Sequence, residues 1–288
     1  MEKILSANSI FEELKKKLKE EILLINSNLS LASIKITKDS SLELYIDSQK
    51  KLAKELSIDY NCIEIDSPKK EDVIEEIRKL NKDKKTTGII INRPLPENLS
   101  EEELFFEIDF RKDIEGVSPY NLGLLCLGRP NFISPTVLSI LELLNLTGVD
   151  LYGKNVVLVG FSNIIGKPLS LILSKKFATV SVTHIATCQK GYLKFYVENA
   201  DILISAVGKP CLIKGSWIKK GAIIIDAGIS VVDKKVVGDV EFKSAYKKAS
   251  FITPVPNGVG KLTGLFLFKN LLRAYKLIKG GEFLWQNL

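Results

Sequence analysis

One histidine, His184, stands in 288 residues, and the four cysteines, Cys62, Cys126, Cys188 and Cys211, lie far apart with no C-x-x-C pairing. That spacing indicates neither a disulfide framework nor a zinc site, so no metal is expected and the thiols read as small core or surface residues. No apolar run reaches the length of a membrane span, and the opening Met-Glu-Lys-Ile-Leu-Ser lacks the apolar core of a signal peptide. The expectation is a cytoplasmic protein with no membrane partner. The net charge of +7 comes from 41 basic against 34 acidic side chains, but the lysines are dispersed over helix faces and no basic run is interleaved with aromatics. Nucleic acid is therefore not expected as a partner; a solvated surface, and after it an anionic small substrate, accounts for the excess.

With 45% hydrophobic and 26% charged residues, the composition is that of a globular chain, long enough for two cores. Apolar positions at Ile10, Leu14, Leu18, Ile22 and Leu23 make a helical stripe within residues 7–27. A strand is expected over 31–37, a helix capped by 38–41 and running to about Leu56, a strand over 62–65, a helix over 70–80, and a buried strand over 88–91 that ends in Asn92-Arg-Pro-Leu-Pro96, where prolines forbid further pairing. After a helix near 100–107, the polar stretch 112–123 reads as loop, and Ser134-Pro135 starts a helix through Leu146. Strands follow over 156–159, 179–183, 202–205 and 223–226, with a closing amphipathic helix over 262–278. Such alternation predicts α/β architecture with mostly parallel sheets.

The stretch 154–168 organises the second half. Val156 to Val159 is a continuous β-branched and aliphatic run, suited to a strand buried on both faces. Gly160 permits a tight turn, Ser162 offers a hydroxyl at a helix N-cap position, and Gly166 lets the helix pack close to the strand, an arrangement that aims backbone N–H groups at a phosphate. A serine replaces the usual second glycine and the last glycine comes one residue late, so the turn alone is also compatible with an ordinary strand-to-helix connection.

Five blocks carry a resemblance that covers almost the whole chain: 160–168 (Gly-Phe-Ser-Asn-Ile-Ile-Gly-Lys-Pro), 206–210 (Ala-Val-Gly-Lys-Pro), 224–229 (Ile-Ile-Asp-Ala-Gly-Ile), 236–240 (Val-Val-Gly-Asp-Val) and 252–256 (Ile-Thr-Pro-Val-Pro). The chain resembles the bifunctional methylenetetrahydrofolate dehydrogenase/methenyltetrahydrofolate cyclohydrolase family. The resemblance implies two α/β domains flanking a cleft: a folate-binding domain over 1–117, completed by the C-terminal segment 262–288, and a Rossmann-type NAD(P)-binding domain over 118–261. It implies tetrahydrofolate derivatives as substrates, NADP as cofactor with NAD the alternative, and a homodimer. It places the cofactor at Gly160, Phe161, Ser162, Ile165, Gly166, His184, Val207, Gly208 and Ile229. The substrate falls to Tyr45, Asn92, Pro94, Glu115, Pro256, Gly258 and Gly260, with Tyr45, Gln49, Asn92 and Glu115 at the catalytic positions. His184 reads as a structural or cofactor-edge residue rather than a general base.

Departures from the family pattern cluster on the folate side. The family carries a lysine four residues after its folate-stacking tyrosine, but four residues after Tyr45 stands Gln49. Lys50 is one residue on, rotated by about 100° around a helix. Asn92 replaces a glutamine, Arg93 a leucine, Glu115 an aspartate expected to grip the pterin amino group, and Asn257 a glycine at which asparagine tolerates positive φ. The cofactor blocks are nearly intact, although Phe161 and Ile185 cannot grip a 2′-phosphate, leaving that role to Thr187 or Lys190. Glutamine can hydrogen-bond a folate carbonyl but cannot carry charge or shuttle a proton. The expectation is NAD(P)-dependent oxidation of 5,10-methylenetetrahydrofolate with an impaired hydrolytic step. A non-catalytic NAD(P)-binding relative, and a dehydrogenase re-purposed for a small carboxylic acid with Arg93 as its clamp, are the alternatives.

Overall fold

A computed structural model describes residues 3–37, 39–233 and 235–281. It divides into two compact units, one of residues 13–135 with 264–281 and one of residues 3–12 with 136–263. None of its described helices is long and apolar enough to cross a membrane.

In chain order the first unit takes α1 (Asn8–Leu24, entered from the second unit), β1 (Ser30–Lys35), α2 (Ser40–Glu55), β2 (Asp59–Glu64), α3 (Lys70–Lys82), β3 (Gly88–Ile91), α4 (Glu101–Glu107) and α5 (Pro119–Cys126). Its three strands pair in parallel in the order β2-β1-β3, with Ser33 opposite Cys62 and Ile90. The central strand β1 is buried at every position, polar Ser33 and Lys35 included. Helices on the sheet contribute Ile46, Ala53, Ile77 and Leu104 to a core with Leu31, Ile34, Ile89 and Ile91. Asp39 starts α2, accepting from Leu42 N at 3.0 Å, as its short side chain favours.

Stretch 112–123, expected as loop, contains the first turn of the helix α5. Ser118 caps it by accepting from Asn121 N, and Pro119 occupies its first turn, the same Ser-Pro start that the sequence offers again at 134–135. This helix also moves the expected domain boundary at 117/118: the compact unit continues to Pro135. The reason is Asp113, fully buried, which accepts from Val117 N (3.1 Å), Ser118 N (2.7 Å) and Asn121 Nδ2 (2.8 Å) and so ties α5 to the sheet that precedes it.

The second unit takes α6 (Pro135–Asn145), β4 (Asn155–Val159), α7 (Gly166–Lys175), β5 (Thr179–Thr183), α8 (Ile185–Gln189), α9 (Leu193–Glu198), β6 (Ile202–Ser205), β7 (Ile223–Asp226), β8 (Ser230–Val232), β9 (Lys235–Val237), α10 (Phe242–Tyr246), β10 (Phe251–Ile252) and the first turn of α11 (Val259–Ile278). Five strands form a parallel sheet in the order β10-β7-β6-β4-β5, so the chain reverses direction across the sheet at β4, where such folds place their ligand. Strands β8 and β9 form a separate antiparallel hairpin. Residues 3–12, expected with the first domain, belong here: Ile4 bridges Ile252, Leu5 N donates to Ile252 O (2.9 Å) and Ala7 N to Asn257 O (2.9 Å). The apolar tail 282–288 lies outside the described residues.

Candidate functional site

In the first unit the expected folate residues stand at or beyond the carboxyl ends of the strands and on the helix above them. Tyr45 and Gln49, one turn apart on α2, share a face. Tyr45 is 41% exposed, while Gln49 is buried at 1%. The helix runs unbroken through this region, so Lys50 points outward and is exposed. The Gln49 Oε1 lies 2.6 Å from the Tyr60 hydroxyl, which lies 2.8 Å from Ser33 Oγ; Asn92 Nδ2 donates to the same Ser33 Oγ (2.7 Å) and to Ile34 O (2.9 Å). Gln49 and Asn92 are thus joined through Ser33 on β1 and Tyr60 on β2, two strand positions with no motif to mark them.

Two departures from the family pattern meet each other. Arg93 Nη2 lies 2.7 Å from Glu115 Oε1, and the Arg93 guanidinium lies 5.8 Å from the centre of the Phe105 ring. Burial holds the Glu115 carboxyl above its ordinary value even though Arg93 pulls it down. Pro94 follows Arg93 through a cis peptide bond and its carbonyl accepts from Thr37 Oγ1 at 2.8 Å. The buried Lys35 cannot substitute for the missing cation, because it is committed to Glu43 and, at 3.2 Å, to Glu64.

In the second unit, the turn after β4 has the character a phosphate requires. Gly160 has φ +114, a conformation open to glycine, and a Cβ there would stand 2.8 Å from Ala206 O and 3.1 Å from Val207 Cγ1. A Cβ on Gly166 would overlap Gly160 O and stand 2.6 Å from Phe161 Cα. Ser162 accepts from Ile165 N (3.1 Å) inside the turn; it is not the helix N-cap expected from the sequence, because α7 begins four residues later, at Gly166. The N–H groups of Phe161, Ser162, Asn163 and Ile164 donate to no described residue, which leaves them for an anion. Phe161 is 48% and Ile229 58% exposed.

The loops after β6 and β7 close on this turn. The buried Asp239 carboxylate accepts from Ser205 Oγ (2.8 Å), Val207 N (2.9 Å) and Lys209 N (2.8 Å), which fixes the loop bearing Val207 and Gly208. Ser230 Oγ donates to Gly208 O (2.9 Å), and Ile229 Cδ1 stands 3.3 Å from where a Gly260 Cβ would be. His184 precedes α8, and its N–H donates to Thr187 Oγ1 at 3.3 Å, so that hydroxyl is already engaged. Pro256, joined to Val255 by a cis bond, Asn257 at φ +74, and Gly258 form the turn into α11.

Residues 5–115 match the catalytic domain, and residues 134–279 the NAD(P)-binding domain, of tetrahydrofolate dehydrogenase/cyclohydrolase. The chain belongs to that family. It is 41% identical over 280 residues to the bifunctional protein FolD of Acetivibrio thermocellus, covering 96% of this chain and 97% of the relative. Solved structures agree: FolD from Campylobacter jejuni superposes with TM-score 0.89 at 33% identity, covering 96% of this chain and 99% of that one. The Trypanosoma brucei enzyme, solved with NADP cofactor and inhibitor, gives 0.89 at 30% identity and covers 96% and 98%. Within this family frame, the glycine turn of Gly160 and Gly166 fits a dinucleotide, since side chains at these two positions would collide with the backbone of the turn itself and of the loop at Ala206, and the tight strand-to-helix turn that bares its N–H groups could not form.

Proposed function

We propose that the chain is a cytoplasmic, homodimeric enzyme of one-carbon folate metabolism that oxidises 5,10-methylenetetrahydrofolate with NADP, and that its hydrolysis of the methenyl product to 10-formyltetrahydrofolate is slowed. Near-full-length likeness to bifunctional FolD proteins supports the substrate and both reactions. The nucleotide, held by the turn 160–166 and the loop 205–209, would supply the hydride acceptor. Tyr45 offers its exposed ring to a flat substrate, Asn92 an amide, and Glu115 a carboxylate already countered by Arg93. Oxidation depends chiefly on positioning, which these groups can provide without exchanging a proton.

Hydrolysis also needs a group that exchanges a proton with water or a ring nitrogen. The observation that carries the slowed step is Gln49 itself: a buried, non-titrating amide fills the position beside Tyr45, while Lys50 faces outward and Lys35 is ion-paired. The test is turnover of 5,10-methylenetetrahydrofolate with NADP and with NAD, resolving methenyl from formyl product. Methenyl accumulation in the wild type, with Gln49→Lys raising hydrolysis on the order of 10²-fold, is the expected result. Formyl product at the oxidation rate, or a Gln49→Lys variant with no gain, refutes the slowed step; no turnover with intact NADP binding refutes the enzyme.

A further inference from the structure

The four side chains Gln49, Tyr60, Ser33 and Asn92 form one largely buried chain of hydrogen bonds, and it fixes which way each of the two amides faces. Asn92 Nδ2 lies 2.9 Å from the carbonyl oxygen of Ile34, which can only accept. The nitrogen of this amide is therefore the atom facing both Ile34 O and Ser33 Oγ. Ser33 Oγ, fully buried, accepts that bond, and Tyr60 Oη lies 2.8 Å from the same oxygen. At 2.6 Å, the shorter of its two contacts, Tyr60 Oη donates to Gln49 Oε1, an oxygen that can only accept. With its oxygen held, Gln49 turns Nε2 away, and that atom is buried with no hydrogen-bond partner among the described residues. At the other end both Asn92 amide protons are used, which leaves Oδ1 as the free atom.

We infer that Tyr60 and Ser33 are positioning residues that set the two site amides in opposite senses, Gln49 presenting N–H donors and Asn92 a carbonyl acceptor. The site is thereby matched to a ring segment in which a hydrogen-bond acceptor stands near a donor, as in a cyclic amide, and matched against the reversed order. A buried donor without a partner costs about 1–3 kcal/mol, so the Gln49 N–H2 favours a ligand that supplies the acceptor. This inference rests on the folate reading of the site and adds two residues with no motif of their own, Tyr60 bonded to Gln49 and Ser33 bonded to Asn92.

The test is steady-state kinetics of the full chain, with the KM for 5,10-methylenetetrahydrofolate and that for NADP measured separately. Tyr60→Phe removes the donor that orients Gln49 and should raise the folate KM roughly tenfold, about the worth of one oriented hydrogen bond, with the NADP KM within about twofold of wild type. Gln49→Glu keeps an acceptor for Tyr60 but replaces the N–H2 with a second oxygen, and should raise the folate KM at least as far. Ser33→Ala serves if Tyr60→Phe does not fold, and should give a smaller rise in the same constant. Folded variants whose folate KM stays within twofold of wild type, or whose NADP KM rises in parallel, overturn the inference while leaving the folate reading intact. A wild-type protein that binds no 5,10-methylenetetrahydrofolate in a direct titration overturns the folate reading, and the inference with it.

Discussion

Raising the pH from 4 to 7 should weaken the unit of residues 136–263 through Asp226, against the usual trend for carboxylates. Asp226 is 3% exposed at the end of β7, and its oxygens accept from Gly228 N (3.0 Å), Asp239 N (3.1 Å) and Val240 N (2.9 Å). Burial outweighs those three bonds and pushes the carboxyl from 3.8 up to about 6, with the nearby Asp239 carboxylate adding to the rise. An acid whose pKa is higher folded than unfolded binds more protons in the folded state between the two values. Its contribution to stability therefore falls as the pH climbs through that window, here from about 4 to about 6, and stays low above it. Two pKa units correspond to about 3 kcal/mol. Asp226→Asn cannot ionise; its amide also misplaces a donor against one of the three N–H groups, a penalty that does not depend on pH. The quantity to follow is the stability difference between wild type and variant, from guanidinium unfolding at half-unit pH steps monitored by Trp217, which packs on the core of this unit. The difference should move by about 2 kcal/mol in favour of the variant between pH 4 and pH 7, the rest of the change lying below pH 4. A flat difference, or one that moves the other way, refutes the reasoning.

Other perturbations separate the two sites. Gly166→Ala places a methyl group 2.6 Å from Phe161 Cα and into Gly160 O, so NADP affinity should fall by about 100-fold or more while titration with the folate substrate is unchanged. Asp239→Asn loosens the loop 205–209 and should raise the KM for NADP roughly tenfold with little change in the KM for the folate. Arg93→Leu leaves the Glu115 carboxylate mostly buried without its countercharge and should destabilise the first unit by about 3 kcal/mol at pH 8, measured by thermal unfolding. Because the folded Glu115 pKa lies above its ordinary value and rises further without Arg93, that loss should shrink as the pH falls through the carboxylate range, and adding Glu115→Gln should recover most of it.

Local order accounts for what could be read from the chain alone. Aliphatic runs such as Gly88–Ile91 and Ile202–Ser205 are short and bounded by turn residues, and they are strands; the alternation of strand and helix implied parallel sheets because each crossover helix returns the chain to the same sheet edge. The turn at 160–166 was legible for the same reason: its glycines are demanded by backbone within a few residues. Gln49, four residues from Tyr45, was marked by helical spacing. The remainder depends on approaches between distant segments. Arg93 and Glu115, 22 residues apart, looked like two separate departures until the fold paired them. Asp239 reaches back more than thirty residues to hold the loop 205–209, and Tyr60 and Ser33 meet because β1 and β2 align side by side. The sequence by itself determined the α/β class, the order of the elements and the chemical types available at each site; the tertiary structure alone decided which polar groups meet, because hydrogen bonds and ion pairs act over about 3 Å between residues whose separation along the chain carries no periodic signal.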